Sequence, residues 1–423
     1  MRPSGGPVST TAQRLSRRVR ELAPSMTFAL ADKAKALKAA GRPVISFSVG
    51  EPDFASPEVV AAAAKEAIDR GETHYTPVRG TPRLIEAIVE RTAQDTGYRA
   101  DPEQVLVSNG GKQSLFNLFL AFLDPGDEVV LASPYWVSYP AMIQLAGGRA
   151  VPVAADPARG FRLDPDEVAA AMGPRCKALL LNTPSNPTGA VLDPGDVEAL
   201  VRLALDRGVL VVSDEIYAGL LYDGAEHRSA LSVAHPGVRE GVVLCSGVSK
   251  RYAMTGWRIG YVVGPTDLVA AAAKLQSQST SGACSIAQAA AAAALREGEE
   301  AAAAMRDVFA RRRRVAVDAL QAIPGVRVPE AKGAFYLFPD VSSYYGRTVA
   351  GRRIGGSLDL SEVLLEEANV AAVPGAAFGA DGHLRFSYAL DEEQIVEGLS
   401  RVRELLARAE PAAAAKPAAG SGR

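Results

Sequence analysis

The amino-acid sequence predicts an α/β protein: a mostly parallel sheet with helices on both faces, and a smaller α+β unit attached to it. Three observations lead there. Over residues 103–264, short β-rich runs ending in turn residues alternate with helix-period segments, the rhythm of βαβ units. After Gly264 the pattern turns helical and Ala-rich, then changes to short strands mixed with helices. The chain has 423 residues, more than one simple core accommodates, so two domains are expected.

In chain order, the predicted strands of the sheet are EQVLVSNGG, DEVVLASP, KALLLNTP, GVLVVSDE and GVVLCSG. Each is a run of apolar residues without strict alternation, as expected of strands covered on both faces. KQSLFNLFLAFL and DVEALVRLALDRG have the period of amphipathic helices between them. EEAAAAMRDVFARRRRVAVDALQAI reads as one long helix, followed by short strands VRVPE, GAFYLFPD and HLRFSYAL and by helices SLDLSEVLLEEAN and EEQIVEGLSRVRELLARA. Four successive residues on a helix point in different directions, so Arg311 to Arg314 read as a solvated helix surface and not as a polyanion site. Both chain ends, rich in Gly, Pro, Ser or Ala, are expected to be mobile.

Composition narrows the function. Lys and Arg total 46 against 48 Asp and Glu, a net charge of −2, so no global field attracts nucleic acid or an anionic membrane. The three cysteines, Cys176, Cys245 and Cys284, lie far apart, and the four histidines form no ligand motif, which argues against a disulfide framework and a transition-metal site. The basic N-terminus lacks an apolar core, and no run of 18 uncharged apolar residues occurs, so a cytoplasmic protein is expected.

Chemistry collects at the carboxyl ends of the predicted strands, where open α/β sheets bind ligands. There stand Asn109-Gly110-Gly111-Lys112, Ser133 to Trp136, Asn182 to Gly189, Asp214 to Tyr217, and Ser246 to Lys250. Gly110-Gly111 opens a helix, so backbone N–H groups and the positive helix end suit a phosphate; a tight strand-to-helix turn is the alternative reading. No dinucleotide or P-loop glycine motif is present. A lysine at a strand end, Lys250, desolvated and near cations, has the chemistry of a nucleophile toward a carbonyl and then of a proton-transfer base. Arg258, in an apolar stretch, is expected to have a buried anion partner. Lysine and anion-holding arginine together suggest a phosphorylated aldehyde.

The ordered motifs VGEPDF, HYTPVRGTP, GGKQSLFN, SPYWVSYP, NTPSNPTGA, SDEIY, SGVSKRYAMTGWRIGY and HLRFSYA resemble those of class I aminotransferases of pyridoxal 5'-phosphate fold type I, in the manner of the bacterial aspartate aminotransferase subgroup. The resemblance implies a large cofactor-binding domain with a seven-stranded sheet, residues 57–308, and a smaller α+β domain from residues 15–56 and 309–410. Residues 1–14 and 411–423 are then flexible tails. It implies that Lys250 forms the internal aldimine and that Asp214 pairs with the pyridine nitrogen, keeping it protonated so that the ring accepts electrons. Tyr217 and Asn186 would hydrogen-bond the 3'-oxygen, and Trp136 would stack on the ring. Gly110, Gly111, Ser249 and Arg258 would hold the phosphate, with Tyr75 reaching in from the partner subunit of a homodimer. Arg385 would take the substrate α-carboxylate bidentately, helped by Gly50 and Asn186. Lys112 would contact the distal carboxylate of a dicarboxylic substrate, with Thr27 near the entrance; the alternative is that Lys112 only neutralises the phosphate.

Two departures stand out: Gly247, where some relatives carry a hydroxyl residue, and Ser185, where close relatives often have Asn. Ala23 stands where relatives that accept prephenate tend to have a basic residue, which disfavours that substrate. The expected reaction is ping-pong transfer of an amino group between an L-amino acid, foremost aspartate, and 2-oxoglutarate. Prephenate, aromatic or alanine preference, and a lyase or synthase on the same fold, are the alternatives. A transcription regulator with such a domain would need a basic helix-turn-helix ahead of VGEPDF, for which the segment leaves too little room.

Overall fold

A computed structural model describes residues 15–22 and 26–411. The expected tails, residues 1–14 and 411–423, fall outside these apart from Pro411, as does Ala23. The strands are β1 (Ile45–Ser46), β2 (Val105–Ser108), β3 (Glu128–Ser133), β4 (Arg149–Ala154), β5 (Cys176–Asn182), β6 (Leu210–Asp214), β7 (Val242–Gly247), β8 (Gly260–Val263), β9 (Tyr336–Leu337), β10 (Thr348–Val349), β11 (Arg352–Arg353), β12 (Val370–Ala371), β13 (Val373–Pro374) and β14 (Leu384–Ser387).

The main sheet has seven strands in the order β2-β8-β7-β6-β5-β3-β4, parallel except for β8, which runs against both neighbours. All five expected strands are in it. β4 and β8 escape the sequence pattern. β4 is the edge strand, largely uncovered and carrying Pro152, which only an edge tolerates; β8 is four residues long and sits inside a motif read for its chemistry. The strand order reverses beside β3, with β4 on one flank and β5 on the other, so a crevice opens at the carboxyl ends of β3 and β5.

Period-two geometry explains why these strands are continuously apolar. Along β5, Leu179 and Leu181 join one core with Val105, Val107 and Val211, while Ala178 and Leu180 join another with Leu106, Val129 and Val212. Each fully buried Leu or Val contributes about 1.5–3 kcal/mol relative to exposure.

A further core gathers Phe47, Phe309, Phe335, Tyr336, Leu364, Phe386 and Leu399. It packs beneath the antiparallel sheet β13-β14-β9 and the parallel pair β1-β12, which ties the segment around Ile45 to the C-terminal third of the chain. VRVPE, expected as a strand, makes only an isolated bridge between Arg327 and Asp340.

The long helix, Glu299–Gln321, spans two cores: Ala302 packs in the first and Met305, Phe309, Ala316 and Leu320 in the third. Its arginine run corrects the sequence reading. Arg311 and Arg314 are exposed as expected, but Arg312 and Arg313 are buried and ion-paired, because position 312 continues the stripe 305, 309, 316, 320.

Candidate active site

The strand ends meet in a cavity of about 410 Å³. Gly50, Gly111, Lys112, Trp136, Asn186, Asp214, Tyr217, Ser249, Lys250, Arg258 and Arg385 all line it, so the sequence-predicted residues converge from segments more than 300 positions apart.

At the end of β2, Gly110 caps the helix Gly111–Phe122 with φ +88°, a conformation that favours glycine. A Cβ there would strike the guanidinium of Arg258, and a Cβ at Gly260 on β8 would fall inside the backbone of Gly110 and Gly111. The glycines therefore let β8 and the helix start approach closely, leaving first-turn N–H groups facing the cavity. Gly260→Ala should lower unfolding free energy by about 3 kcal/mol or more, since backbone has to move, and chemical denaturation of the two proteins measures it. Gly247 has a similar cause: it pairs with Gly260, and a Cβ would crowd the Ile259 carbonyl at 2.9 Å.

Asp214 ends β6 and is buried. Tyr139 Oη donates to its Oδ2 at 2.7 Å, and the Ile216 N–H to Oδ1 at 3.2 Å. Burial raises its carboxyl to about 6, against the pull of those donors and of Lys250. Lys250 Nζ donates to the Gly50 carbonyl at 2.5 Å. Burial pushes this amine down to about 8, with Arg385 and Arg258 acting the same way and Glu51 opposing. Lys112 is likewise lowered by burial and then by Arg258, and its Nζ lies 5.0 Å from the Trp136 ring centroid.

Arg385, on β14, is 4% exposed. Nη1 donates to Asn186 Oδ1 at 3.0 Å and Nη2 to the Ser48 carbonyl at 2.8 Å, while Nε has no partner. Its guanidinium lies over the rings of Tyr336, at 4.6 Å from the centroid, and Phe378, at 5.1 Å. Among the described residues no carboxylate lies within 4 Å of Arg385. A buried guanidinium without a counter-charge is costly unless a ligand carboxylate supplies it. Tyr217 shares a hydrogen bond of 2.8 Å with Tyr336.

Arg258 departs from expectation. It is exposed at the cavity mouth, with φ +56°, and bonds the carbonyls of Thr255 (2.8 Å) and Asn109 (3.4 Å) instead of a buried anion. Tyr75 is 99% exposed and borders a separate groove with His74, Thr76 and Cys284. Thr27 lies on the helix Met26–Ala39, its side chain outside the described residues. Tyr139, Tyr336 and Phe378 were missed. Nothing in the sequence marks Tyr336 or Phe378; Tyr139 carries one cue, lying three positions after Trp136, whose carbonyl accepts from the Tyr139 N–H at 3.0 Å at the start of the helix Ser138–Leu145.

Taken together, the cavity offers a helix start, Ser249 and Arg258 to an anion, a buried carboxylate to a cationic ring nitrogen, and a depressed-pKa amine to an aldehyde. These donors and acceptors fit a phosphorylated pyridine aldehyde.

The chain matches the aminotransferase class I and II family over residues 42–402 and belongs to it. Pyridoxal 5'-phosphate is the cofactor of this aminotransferase. The chain is 48% identical to the aspartate aminotransferase of Streptomyces avermitilis, over 94% of its own length and 98% of that relative's. It is 45% identical to the aspartate/prephenate aminotransferase of Cereibacter sphaeroides, over 93% and 98%. The crystal structure of an aspartate aminotransferase from Rhizobium meliloti superposes with a TM-score of 0.90 at 40% identity, covering 94% of this chain and 99% of that one.

Proposed function

We propose that the protein moves an amino group between L-aspartate and 2-oxoglutarate, the two substrate pairs using one site in turn. The carrying observation is that the cavity holding Lys250 also holds three cations without carboxylate partners among the described residues, and with Arg258 assigned to the phosphate, Arg385 and Lys112 remain for the substrate. Two such cations match the two carboxylates of aspartate, glutamate and their oxo acids.

Pyridoxal 5'-phosphate, when bound, supplies an aldehyde that links to amines and a ring that withdraws electrons from the adjoining carbon. Lys250 would hold it through Nζ, and the same amine, when free, is placed to take a proton from a substrate Cα and to return it. Asp214, oriented by Tyr139, would keep the ring nitrogen protonated. Tyr217 and Asn186 would bond the ring oxygen, and Trp136 would cover the ring face. Gly110, Gly111, Ser249 and Arg258 would hold the phosphate, joined by Tyr75 of a second subunit, whose full exposure suits an interface role. Arg385, with Asn186 and Gly50, receives the α-carboxylate, and Lys112 the distal one, Thr27 standing near the entrance. Residues 15–56 with 309–410 form a smaller domain against residues 57–308, and the site closes between them. Among the described residues no helix is long and apolar enough to cross a membrane.

Single amino acids added to the holoenzyme test this reading. Aspartate and glutamate should bleach the cofactor's visible band with no acceptor present, and alanine, aromatic amino acids and, in the reverse direction, prephenate should not. Release of ammonia from one amino acid alone would instead indicate a lyase. Lys112→Met should raise the KM for aspartate about 10- to 100-fold, the worth of one charge-assisted contact.

A further inference from the structure

The buried half of the arginine run has a destination. Arg312 forks onto Asp53, Nη1 to Oδ1 at 2.6 Å and Nη2 to Oδ2 at 2.9 Å, with its side chain only 9% exposed. The same guanidinium lies 5.0 Å over Phe54 and 5.9 Å over Phe309, and those two rings meet edge to face at 5.3 Å. Asp53 and Phe54 belong to residues 50–56, a segment without regular structure that begins at Gly50 on the cavity wall. Its other fastenings go to the loop that carries Arg258: Thr255 Oγ1 donates to Glu51 at 2.8 Å, Ser56 Oγ to the Ala253 carbonyl at 2.9 Å, and Trp257 Nε1 to Ser56 Oγ at 3.0 Å.

We propose that the Arg312–Asp53 pair anchors residues 50–56 as a strap between the long helix and the Arg258 loop, making Arg312 a positioning residue for the Gly50 end of the substrate site. The inference rests on the aminotransferase reading, in which Gly50 borders the substrate α-carboxylate. A planar, bidentate pair stacked on an aromatic ring fixes both the distance and the orientation of a loop, which a lysine cannot do. The neighbouring Arg313 is buried to the same extent, but it pairs with Asp223 and donates to the Ala331 carbonyl at 2.6 Å, outside the cavity lining. It is a matched control for loss of a buried ion pair.

The test uses the holoenzyme with Arg312→Lys, Asp53→Asn, both together, and Arg313→Met. Each of the first two should raise the KM for aspartate about tenfold with kcat within about twofold, the pattern of lost ground-state positioning, and the double variant should add little. Arg313→Met should lower the unfolding midpoint as much but leave KM in place. An unchanged KM in both strap variants, or an equal rise in Arg313→Met, overturns the proposal. Asp53, one-third exposed, keeps the test open should Arg312→Lys fail to fold. A second readout is independent of substrate identity: in apoprotein carrying Trp136→Phe, where Trp257 is the remaining tryptophan, Asp53→Asn should shift its emission to the red. No shift there refutes the strap, whereas a wild type that ignores aspartate but shows the shift refutes only the substrate assignment.

Discussion

Lys250→Ala should abolish turnover, by at least about 10⁴-fold, while the protein stays folded. The magnitude is the upper end of what one positioned acid–base group contributes, and the loss of covalent attachment adds to it. The fold survives because, among the described residues, the Lys250 amine bonds only the Gly50 carbonyl, and because burying that amine opposes folding. That cost has a pH signature. The folded amine titrates near 8 and the unfolded one near the ordinary lysine value of about 10.4, so between those values the unfolded chain binds more protons and stability rises with pH. Below pH 8 the penalty is fully present, at roughly 3 kcal/mol for a shift of this size. Apo wild type should therefore be less stable than apo Lys250→Ala at pH 7, with the gap closing towards pH 10.5, as denaturant unfolding at both pH values would show. A gap that did not move with pH would mean that Nζ is not desolvated. The same shift leaves about a quarter of Lys250 as free amine at pH 7.5, against roughly one in a thousand for an ordinary lysine, so borohydride trapping of bound cofactor should mark this residue alone.

How much of this was legible in the sequence depended on whether the determining contacts are local. β2, β3, β5, β6 and β7 show themselves because both faces are buried and each ends in turn residues at a ligand crevice. GAFYLFPD does contain β9, but β4 was hidden by its exposed edge, and β1, β10, β11, β12 and β13 are two residues long, too short for any period. In the cavity, Asn186, Asp214 and Lys250 stand at strand ends that the pattern locates. The Tyr217–Tyr336 hydrogen bond joins residues 119 apart, and the Lys250–Gly50 contact spans 200, so neither leaves a trace in local spacing. Arg312 and Arg313 show the limit most plainly. A run of four arginines looks solvated when read as charge, and only the stripe through Met305, Phe309, Ala316 and Leu320 says that position 312 turns inward.

Asp214→Asn should lower kcat/KM by about 10³-fold or more and loosen cofactor binding, while making the empty protein more stable. The substitution is nearly isosteric, and the amide oxygen can still accept from Tyr139 at the position of Oδ2, giving up only the longer 3.2 Å bond from the Ile216 N–H to Oδ1. What disappears is the charge. A carboxylate facing a ring nitrogen holds a proton there, and breaking a buried charge pair by removing one partner costs about 3–5 kcal/mol. The opposite sign in the empty protein follows from linkage. With its carboxyl raised to about 6, above the ordinary value of 3.8, the folded protein binds more protons than the unfolded chain in that interval, so stability falls as pH rises through it. Above pH 6 the full cost, of order 3 kcal/mol, is carried by the wild type and not by the variant. Unfolding of apo and holo forms at pH 4 and pH 7.5 separates the two effects: the apo difference should favour the variant only at the higher pH, and the cofactor should stabilise the wild type far more. Equal stabilisation of both proteins by pyridoxal 5'-phosphate would show that Asp214 does not face the ring nitrogen. On the proposed reading, the Asp214 carboxylate, expensive when the cavity lacks a cation and favourable when a ring nitrogen supplies one, would couple cofactor capture to the same charge that the reaction uses.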